Sequence, residues 1–232
     1  RSSAASDVYK RQEQYLAHET LPKSGTDDVL GVQLAQILSE ASLSLFVRQA
    51  AAIALKKYVR KRWSIFFDTF TQDMVVNGIV QTVDATPVEA KEHIRTSLLA
   101  CLCDAEPKVR SQASDILSLI SSCDFPDHFP QLLPTLQAYL HSYTEQDAHA
   151  AYKVHGAMKF LLDLVHVELD ENQLLMVAQQ LVPLLQGIVS SSSDWITPHT
   201  RARCINVFHQ CLISLYMAKD TYLSLIHISE PT

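Results

Sequence analysis

The side chains in this chain that could do chemistry are its cysteines, its histidines and one run of cations. Cys101, Cys103 and His128 are the only local candidates for a metal site, and their spacing matches no zinc pattern, which needs four convergent ligands. His155 could act as a base, but it follows Val154 on a helical pattern, where a hydrogen-bonded or solvated histidine is expected. No glycine-rich phosphate loop, G-x-S-x-G or H-E-x-x-H occurs. The sequence therefore predicts no catalytic residue, no metal, no cofactor and no enzymatic activity.

The run of cations ends one predicted helix, and it consists of Lys56, Lys57, Arg60, Lys61 and Arg62. Cations near a helix C-terminus interact favourably with the helix dipole, so a solvated helix end is one interpretation. Contact with an acidic partner surface is the other, through Lys56, Lys57, Arg60 and Lys61.

Composition limits the class of protein. The 232 residues carry 19 Lys and Arg against 25 Asp and Glu, a net charge of −6, which favours basic partners and disfavours direct nucleic-acid binding. The five cysteines form no C-x-x-C pair, which indicates reduced, buried thiols of an intracellular protein. No apolar run reaches the roughly 18 residues needed to span a bilayer, so we expect a soluble chain without membrane insertion.

Helical periodicity indicates which elements hold these residues in place. Pro107 can begin a helix, because its missing N–H would be unpaired there, and apolar residues then recur at helical spacing as far as Ile120. Prolines at 126, 130 and 134 interrupt the pattern, and a second apolar stripe follows over 132–140. Such a helix pair is too small to bury its own stripes and needs stacked neighbours.

A short repeated element supports stacking. V-R or V-H occurs at Val47, Val109 and Val154, and TRARC lies near Thr200. The last two intervals are about 45 residues, within the range of helix-pair repeats.

Local signals give the predicted helix limits. Thr86 is expected to be an N-cap, with Pro87 at the first helical position and Glu89 as a capping-box acid. Asp170 is expected to begin a helix that bends at Pro183. The predicted helices cover 26–40, 43–62 and 87–103, one from 107, one over 132–143, and others beginning near 144–147, 170 and 197.

Three segments fit this pattern less well. Residues 64–85 are apolar, and three interpretations are open: an extra helix that covers a groove, a lineage insertion, or a translated intron. The sequence does not choose among them. Residues 2–12 and 223–232 resemble translated DNA-sequencing adapters, so we exclude both ends from fold reasoning. We expect 1–12 to be a disordered tail and the natural protein to extend further.

Two motifs carry a family resemblance. V-R-x-x-A-x-x-I-L-x-x-I at 109–120, followed by D-F-P-D-H-F-P-Q-L-L-P at 124–134, resembles the third HEAT repeat of the importin-beta superfamily, although Phe replaces the usual Trp at both aromatic positions. Segments 31–63 and 154–164 agree, and together they are most similar to the importin-nine branch over most of 13–218.

The resemblance implies an all-α, α-α superhelix (HEAT-repeat solenoid) of about four to five stacked helix pairs. The implied domains are an importin N-terminal domain over 13–103, comprising repeats 1 and 2 without the first outer helix, and repeats 3 to the start of 5 over 104–222. The tails 1–12 and 223–232 flank them.

The resemblance also implies a function. Members of the family bind the small GTPase Ran in its GTP form through inner helices, here 26–40, 87–103 and 132–143, and carry cargo through nuclear pores, shuttling between cytoplasm and nucleus. Implied partners are Ran-GTP, basic cargo such as histones and ribosomal proteins, and nuclear pore proteins. The outward polar positions expected to face Ran are Gln33, Gln36, Glu92, Arg95, Gln137 and His141. A Ran-independent HEAT scaffold or adaptor is the alternative, and import versus export stays open.

Overall fold

The computed structural model describes residues 27–64, 67, 75–76, 79–80, 86–145, 148–166 and 169–228. The helices within them are α1 (Asp27–Ser39), α2 (Leu45–Arg62), α3 (Val88–Cys101), α4 (Pro107–Asp124), α5 (Leu132–His141), α6 (Ala148–His166), α7 (Glu171–Ser190) and α8 (Pro198–Ile228), with a 3-10 turn at Ser142–Thr144. The all-α, helix-pair class of HEAT repeats is confirmed. Residues 1–12 lie outside the described residues, whereas α8 continues as far as Ile228.

Most helix limits follow from local chemistry. The Ser44 side chain accepts a hydrogen bond from the Val47 N–H at the start of α2, and Asp170 forms a complete capping box with Gln173 at the start of α7. Pro107 and Pro198 are the first residues of their helices.

The expectation for Thr86 is wrong. Pro87 occupies the N-cap position of α3, which has no side-chain cap. Thr86 is buried, and its hydroxyl donates to the Arg62 carbonyl over 2.6 Å and lies 3.1 Å from the Tyr58 hydroxyl. The residue connects the chain before α3 to the end of α2.

The chain divides into two compact units, Arg1–Cys123 and Asp124–Thr232. In the first unit, α1 packs on both α2 and α3. Gly31 permits this close approach, because an added Cβ would lie 2.5 Å from Tyr58 Cε1 and 2.9 Å from Ile94 Cδ1. Leu38, Leu55 and Leu98 are fully buried in this core.

The arginines of the repeated V-R element stabilise turns in this unit. Buried Arg48 donates its Nε–H to the Leu38 carbonyl at 2.8 Å and pairs with the Asp104 carboxylate. Arg110 donates to the Asp104 and Ala105 carbonyls at 2.5 and 2.9 Å. The motif therefore satisfies backbone carbonyls where helices end, groups that have no partner inside a helix.

The second unit begins with the proline-rich corner. The Phe125–Pro126 peptide bond is cis, and Phe125 and Phe129 are both buried. Gln173 donates from Nε2 to the Phe125 carbonyl at 2.6 Å, which joins the corner to the start of α7. Helix α5 packs on α6 and α7, and α8 packs on the same two helices.

The V-H and T-R elements act similarly in the second unit. His155 Nε2 lies 3.1 Å from the Thr200 hydroxyl and its ring meets that of Trp195 edge-on. Arg201 donates to the Val189 and Ser191 carbonyls at 3.2 and 2.7 Å. His155 is thus hydrogen-bonded, as expected.

Helix α7 differs from the expectation that no apolar run is long enough to span a bilayer. Asn172–Ser190 is long and apolar enough, by length and mean hydropathy alone, to cross a membrane. Its residues nevertheless divide into two faces. The exposed face includes Gln179, Gln180 and Gln186, whereas the buried stripe consists of Leu174, Val177, Leu181, Leu185 and Ile188. This pattern is typical of a stacked amphipathic helix.

Little of the segment 64–85 is described. Val75–Val76 (β1) pairs antiparallel with Ile79–Val80 (β2), so these four residues do not form the extra helix that was one of the three alternatives. Most of the segment lies outside the described residues.

Candidate interaction surfaces

The polar faces of α1 and α3 form the first candidate surface. Gln33 and Gln36 are exposed on α1, and Glu92 is half-exposed on α3. The two helices are neighbours, so they present these amide and carboxylate groups from adjacent elements. The expected outward orientation is found at all three positions.

Arg95 differs from the expectation, because only 5% of the residue is exposed. Its guanidinium pairs with Glu92 one turn earlier at 3.0 Å. The buried face of α3 is wider than the stripe through Ile94 and Leu98, since Leu99, four residues after Arg95, is buried as well. The prediction of a solvent-facing Arg95 is therefore wrong, and the residue holds the Glu92 carboxylate in place.

The two positions expected on α5 lie in the second unit. His141 is exposed at the end of α5. Gln137 is half-buried and donates from Nε2 to the Gln180 carbonyl at 3.4 Å, a contact with α7.

The cationic run forms part of a cleft between α2 and α4. Lys56, Lys57 and Arg60 line a cavity of about 230 Å³ together with residues of α4. Lys56 Nζ lies 3.8 Å from Asp115 across it. Lys61 is exposed and does not line the cleft.

The residues of α4 in this cleft, Gln112, Asp115 and Ile116, were not predicted as site residues. They follow Lys56 by about sixty positions. In the sequence, Asp115 looks like any other polar residue next to the apolar stripe of its helix. No pattern within the sequence around Asp115 indicates that Lys56, on another helix, lies near it.

The cysteines behave as structural residues. None of the five, all of which lie in the described part of the chain, forms a disulfide. Burial raises the pKa of Cys101 to about 12 and that of Cys204 to about 11, and it also raises the pKa of Cys211. Cys103 and Cys123 are only half-buried, so the expectation that all five are buried is wrong for these two. Within the described part of the chain, no group of three His, Cys, Asp or Glu could hold a metal ion.

Fold and surfaces together define the class as a HEAT-type helix-repeat protein whose accessible features are polar helix faces and a charged cleft. Residues 17–104 match the importin-beta N-terminal domain family. Residues 17–104, which include α1, α2 and α3, are therefore assigned as similar to that domain family.

Individual relatives agree with this assignment. The chain is 28% identical to importin subunit beta-5 of Schizosaccharomyces pombe (strain 972 / ATCC 24843) over 79% of its own length and 17% of that protein. It is 25% identical to importin-9 of Drosophila melanogaster over 80% of its length and 16% of that protein. Exportin-2 of Drosophila melanogaster is 26% identical over 44% of the chain and 9% of that protein. The chain spans about a sixth or less of the length of these relatives.

Proposed function

We propose that this chain is the N-terminal part of a nuclear transport receptor that binds Ran-GTP through the polar faces of its inner helices. The observation that carries the proposal is the importin-beta N-terminal domain match over 17–104, which includes α1 and α3. The proposed contacts in this unit are Gln33, Gln36 and Glu92, and Gln137 and His141 are further proposed contacts in the second unit.

The geometry of α1 and α3 supports these roles. Gly31 lets α1 lie against Tyr58 and Ile94, so two neighbouring helices carry Gln33, Gln36 and Glu92 on a rigid base. The ion pair to Arg95 limits the rotamers of Glu92, which reduces the entropy lost when a partner binds.

Cargo and localisation follow from the same proposal. The net charge of −6 suits basic cargo such as histones and ribosomal proteins, because opposite charge speeds association and neutralises the cargo. Contact with nuclear pore proteins and shuttling between cytoplasm and nucleus complete the proposed role. It includes no enzymatic step and no cofactor.

The test is binding of the purified chain to Ran loaded with a non-hydrolysable GTP analogue, with Ran-GDP measured alongside by biolayer interferometry. We expect selective binding of the GTP form. Gln36→Arg and Glu92→Arg are each expected to weaken it about tenfold, as the loss of a charge-assisted or well-placed hydrogen bond does.

Asp194→Arg is the matched control, because Asp194 is exposed in a loop of the second unit, and it should leave the affinity unchanged. Equal binding of both nucleotide forms, or none, by a chain that circular dichroism shows to be folded would support the Ran-independent scaffold instead.

A further inference from the structure

The cleft between α2 and α4 combines three chemistries at one place. Its cationic side chains are Lys56, Lys57 and Arg60 on α2. Its apolar lining includes Ile53 and Ile116. A polar edge on α4 is formed by Gln112 and Asp115. A site of this kind offers ionic, apolar and hydrogen-bonding contacts within a volume of about 230 Å³.

Gln112 adds an observation that charge alone does not explain. Its Oε1 is buried and has no hydrogen-bond partner in the structure. A buried acceptor without a donor costs about 1–3 kcal/mol. A rotation of the amide toward the cleft would allow Oε1 to accept a hydrogen bond from a bound molecule that brings an N–H group.

The spacing on α2 presents the cations to one occupant. Lys56 and Arg60 are four residues apart, on the same face of the helix, and Lys57 is adjacent. Lys56 is near Asp115, which holds this cation at the α4 side of the cleft. Arg60 is exposed at the opening, where its planar guanidinium can pair bidentately with a carboxylate.

We propose that this cleft binds an acidic polypeptide segment of a partner protein. Carboxylates pair with Lys57 and Arg60, a backbone N–H donates to Gln112 Oε1, and one apolar side chain contacts Ile53 and Ile116. The inference goes beyond Ran and basic cargo. We assign Ran to other helix faces, and basic cargo would be attracted by negative charge and not by these cations.

The same features disfavour a nucleic-acid ligand. A phosphodiester backbone has no N–H to give to Gln112 Oε1. A polypeptide supplies carboxylates for the cations and a backbone N–H for Gln112 Oε1, so one ligand can satisfy both.

The experiment measures binding to the full chain by fluorescence anisotropy. The probe is a fluorescein-labelled 12-residue peptide in which two residues are Leu and the others are Glu or Asp. A Gln/Asn/Leu peptide of equal length and a labelled dT12 oligonucleotide serve as comparison probes. We expect the acidic peptide to bind, with affinity that falls as salt rises, and the other two probes to bind at least about tenfold more weakly.

Matched variants distinguish peptide binding in the cleft from attraction by the general positive charge at this end of α2. Lys57→Glu and Arg60→Glu are expected to weaken peptide binding about tenfold or more. Lys61→Glu makes the same charge change on the same helix outside the cleft, and it should weaken binding less than about twofold. Equal losses in all three variants would overturn the proposal.

Gln112→Leu tests the hydrogen bond. It removes an unsatisfied buried acceptor, so we expect it to raise the melting temperature while it weakens peptide binding. A variant that is more stable and binds the peptide as well as the parent chain would contradict the role of Gln112. Tight binding of dT12 would contradict the choice of polypeptide.

Ran-GTP binding measured on Lys57→Glu and Arg60→Glu should be unchanged. The two proposals therefore fail separately. If the parent chain binds Ran-GTP but not the acidic peptide, only the proposal for the cleft is overturned.

Discussion

At the scale of single residues, the basic member of each V-R, V-H or T-R element has a structural role. Arg48, Arg110 and Arg201 donate to backbone carbonyls at helix ends, and His155 contacts Thr200. The sequence shows the repetition of these residues, but their acceptors are mostly carbonyls in turns that the pattern does not identify. Repetition here reflects a recurrent need to satisfy backbone groups between helices.

Arg48→Ala is the sharpest test of this role. We expect it to destabilise the chain by about 3 kcal/mol, because it leaves the Asp104 carboxylate and the Leu38 carbonyl without their donor in a mostly buried place. Urea unfolding followed by far-ultraviolet circular dichroism measures the loss.

Lys61→Ala is the control, since Lys61 is exposed and its truncation should change stability by less than about 0.5 kcal/mol. A loss under about 1 kcal/mol for Arg48→Ala would mean that the pair contributes no more than an exposed ion pair.

The thiol of Cys101 gives a prediction about reactivity. Burial raises its pKa from 9.0 to about 12, so almost no thiolate forms at about pH 8.5, and the thiolate is the nucleophile. Iodoacetamide should alkylate half-buried Cys103 and Cys123 well before Cys101, as mass spectrometry of timed digests will show. Rapid native-state labelling of Cys101 would contradict its burial.

The same shift has a consequence for stability. In the unfolded chain the thiol ionises near its ordinary pKa of 9.0, whereas in the folded chain it stays protonated until about 12. The free energy of the unfolded state therefore falls relative to that of the folded state as the pH rises above 9.0, and the contribution of Cys101 to stability is lost progressively toward pH 12. Cys101→Ala should make the fall in stability over this pH range less steep.

At the scale of elements, two glycines that lie within helices are expected to respond differently to substitution by alanine. Gly31→Ala would bring a Cβ to 2.5 Å from the Tyr58 ring and 2.9 Å from Ile94. Gly187→Ala would meet only the end of the half-buried Tyr143 side chain, 2.8 Å from its hydroxyl.

Alanine is favoured over glycine within a helix by about 1 kcal/mol, but overpacking costs about 1–3 kcal/mol. We therefore expect Gly31→Ala to destabilise the chain, because α2 and α3 both restrict the movement of α1. Gly187→Ala should be neutral or stabilising, because Tyr143 can rotate away. Differential scanning calorimetry of the pair measures the contrast, and equal effects would contradict it.

At the scale of the whole molecule, α8 carries apolar groups on two faces. Cys204, Val207 and Cys211 are buried, whereas other large apolar side chains are 40–64% exposed, namely Ile205, Phe208, Leu212, Ile213 and Tyr216. Apolar side chains exposed along one helix favour association with another apolar surface, because burying them removes apolar area from water.

We expect the isolated chain to self-associate through this face. Replacing Phe208 and Leu212 together by Glu should shift sedimentation-velocity profiles toward the monomer. Leu175→Glu, at one exposed apolar position of α7, should leave the profiles unchanged. Association that persists in the double variant would exclude this face as its cause.

The sequence alone determined the helical class, most helix limits and the family resemblance. These features depend on local chemistry. Apolar spacing selects a helix, prolines and caps set its ends, and Asp170 begins a helix as expected, with a capping box to Gln173 that the structure adds. Each signal acts within one or two turns, so it can be recognised in a single stretch of chain.

Only the tertiary structure decided which flanking polar residues are covered and which distant residues meet. Arg95 lies beside the stripe of α3, and its burial depends on how widely neighbouring elements cover that helix. Likewise, Gln112 and Asp115 of α4 line one cleft with Lys56 and Arg60 of α2. Such contacts depend on the distances and angles between helices, which are set by the sum of all core packing and not by any short stretch.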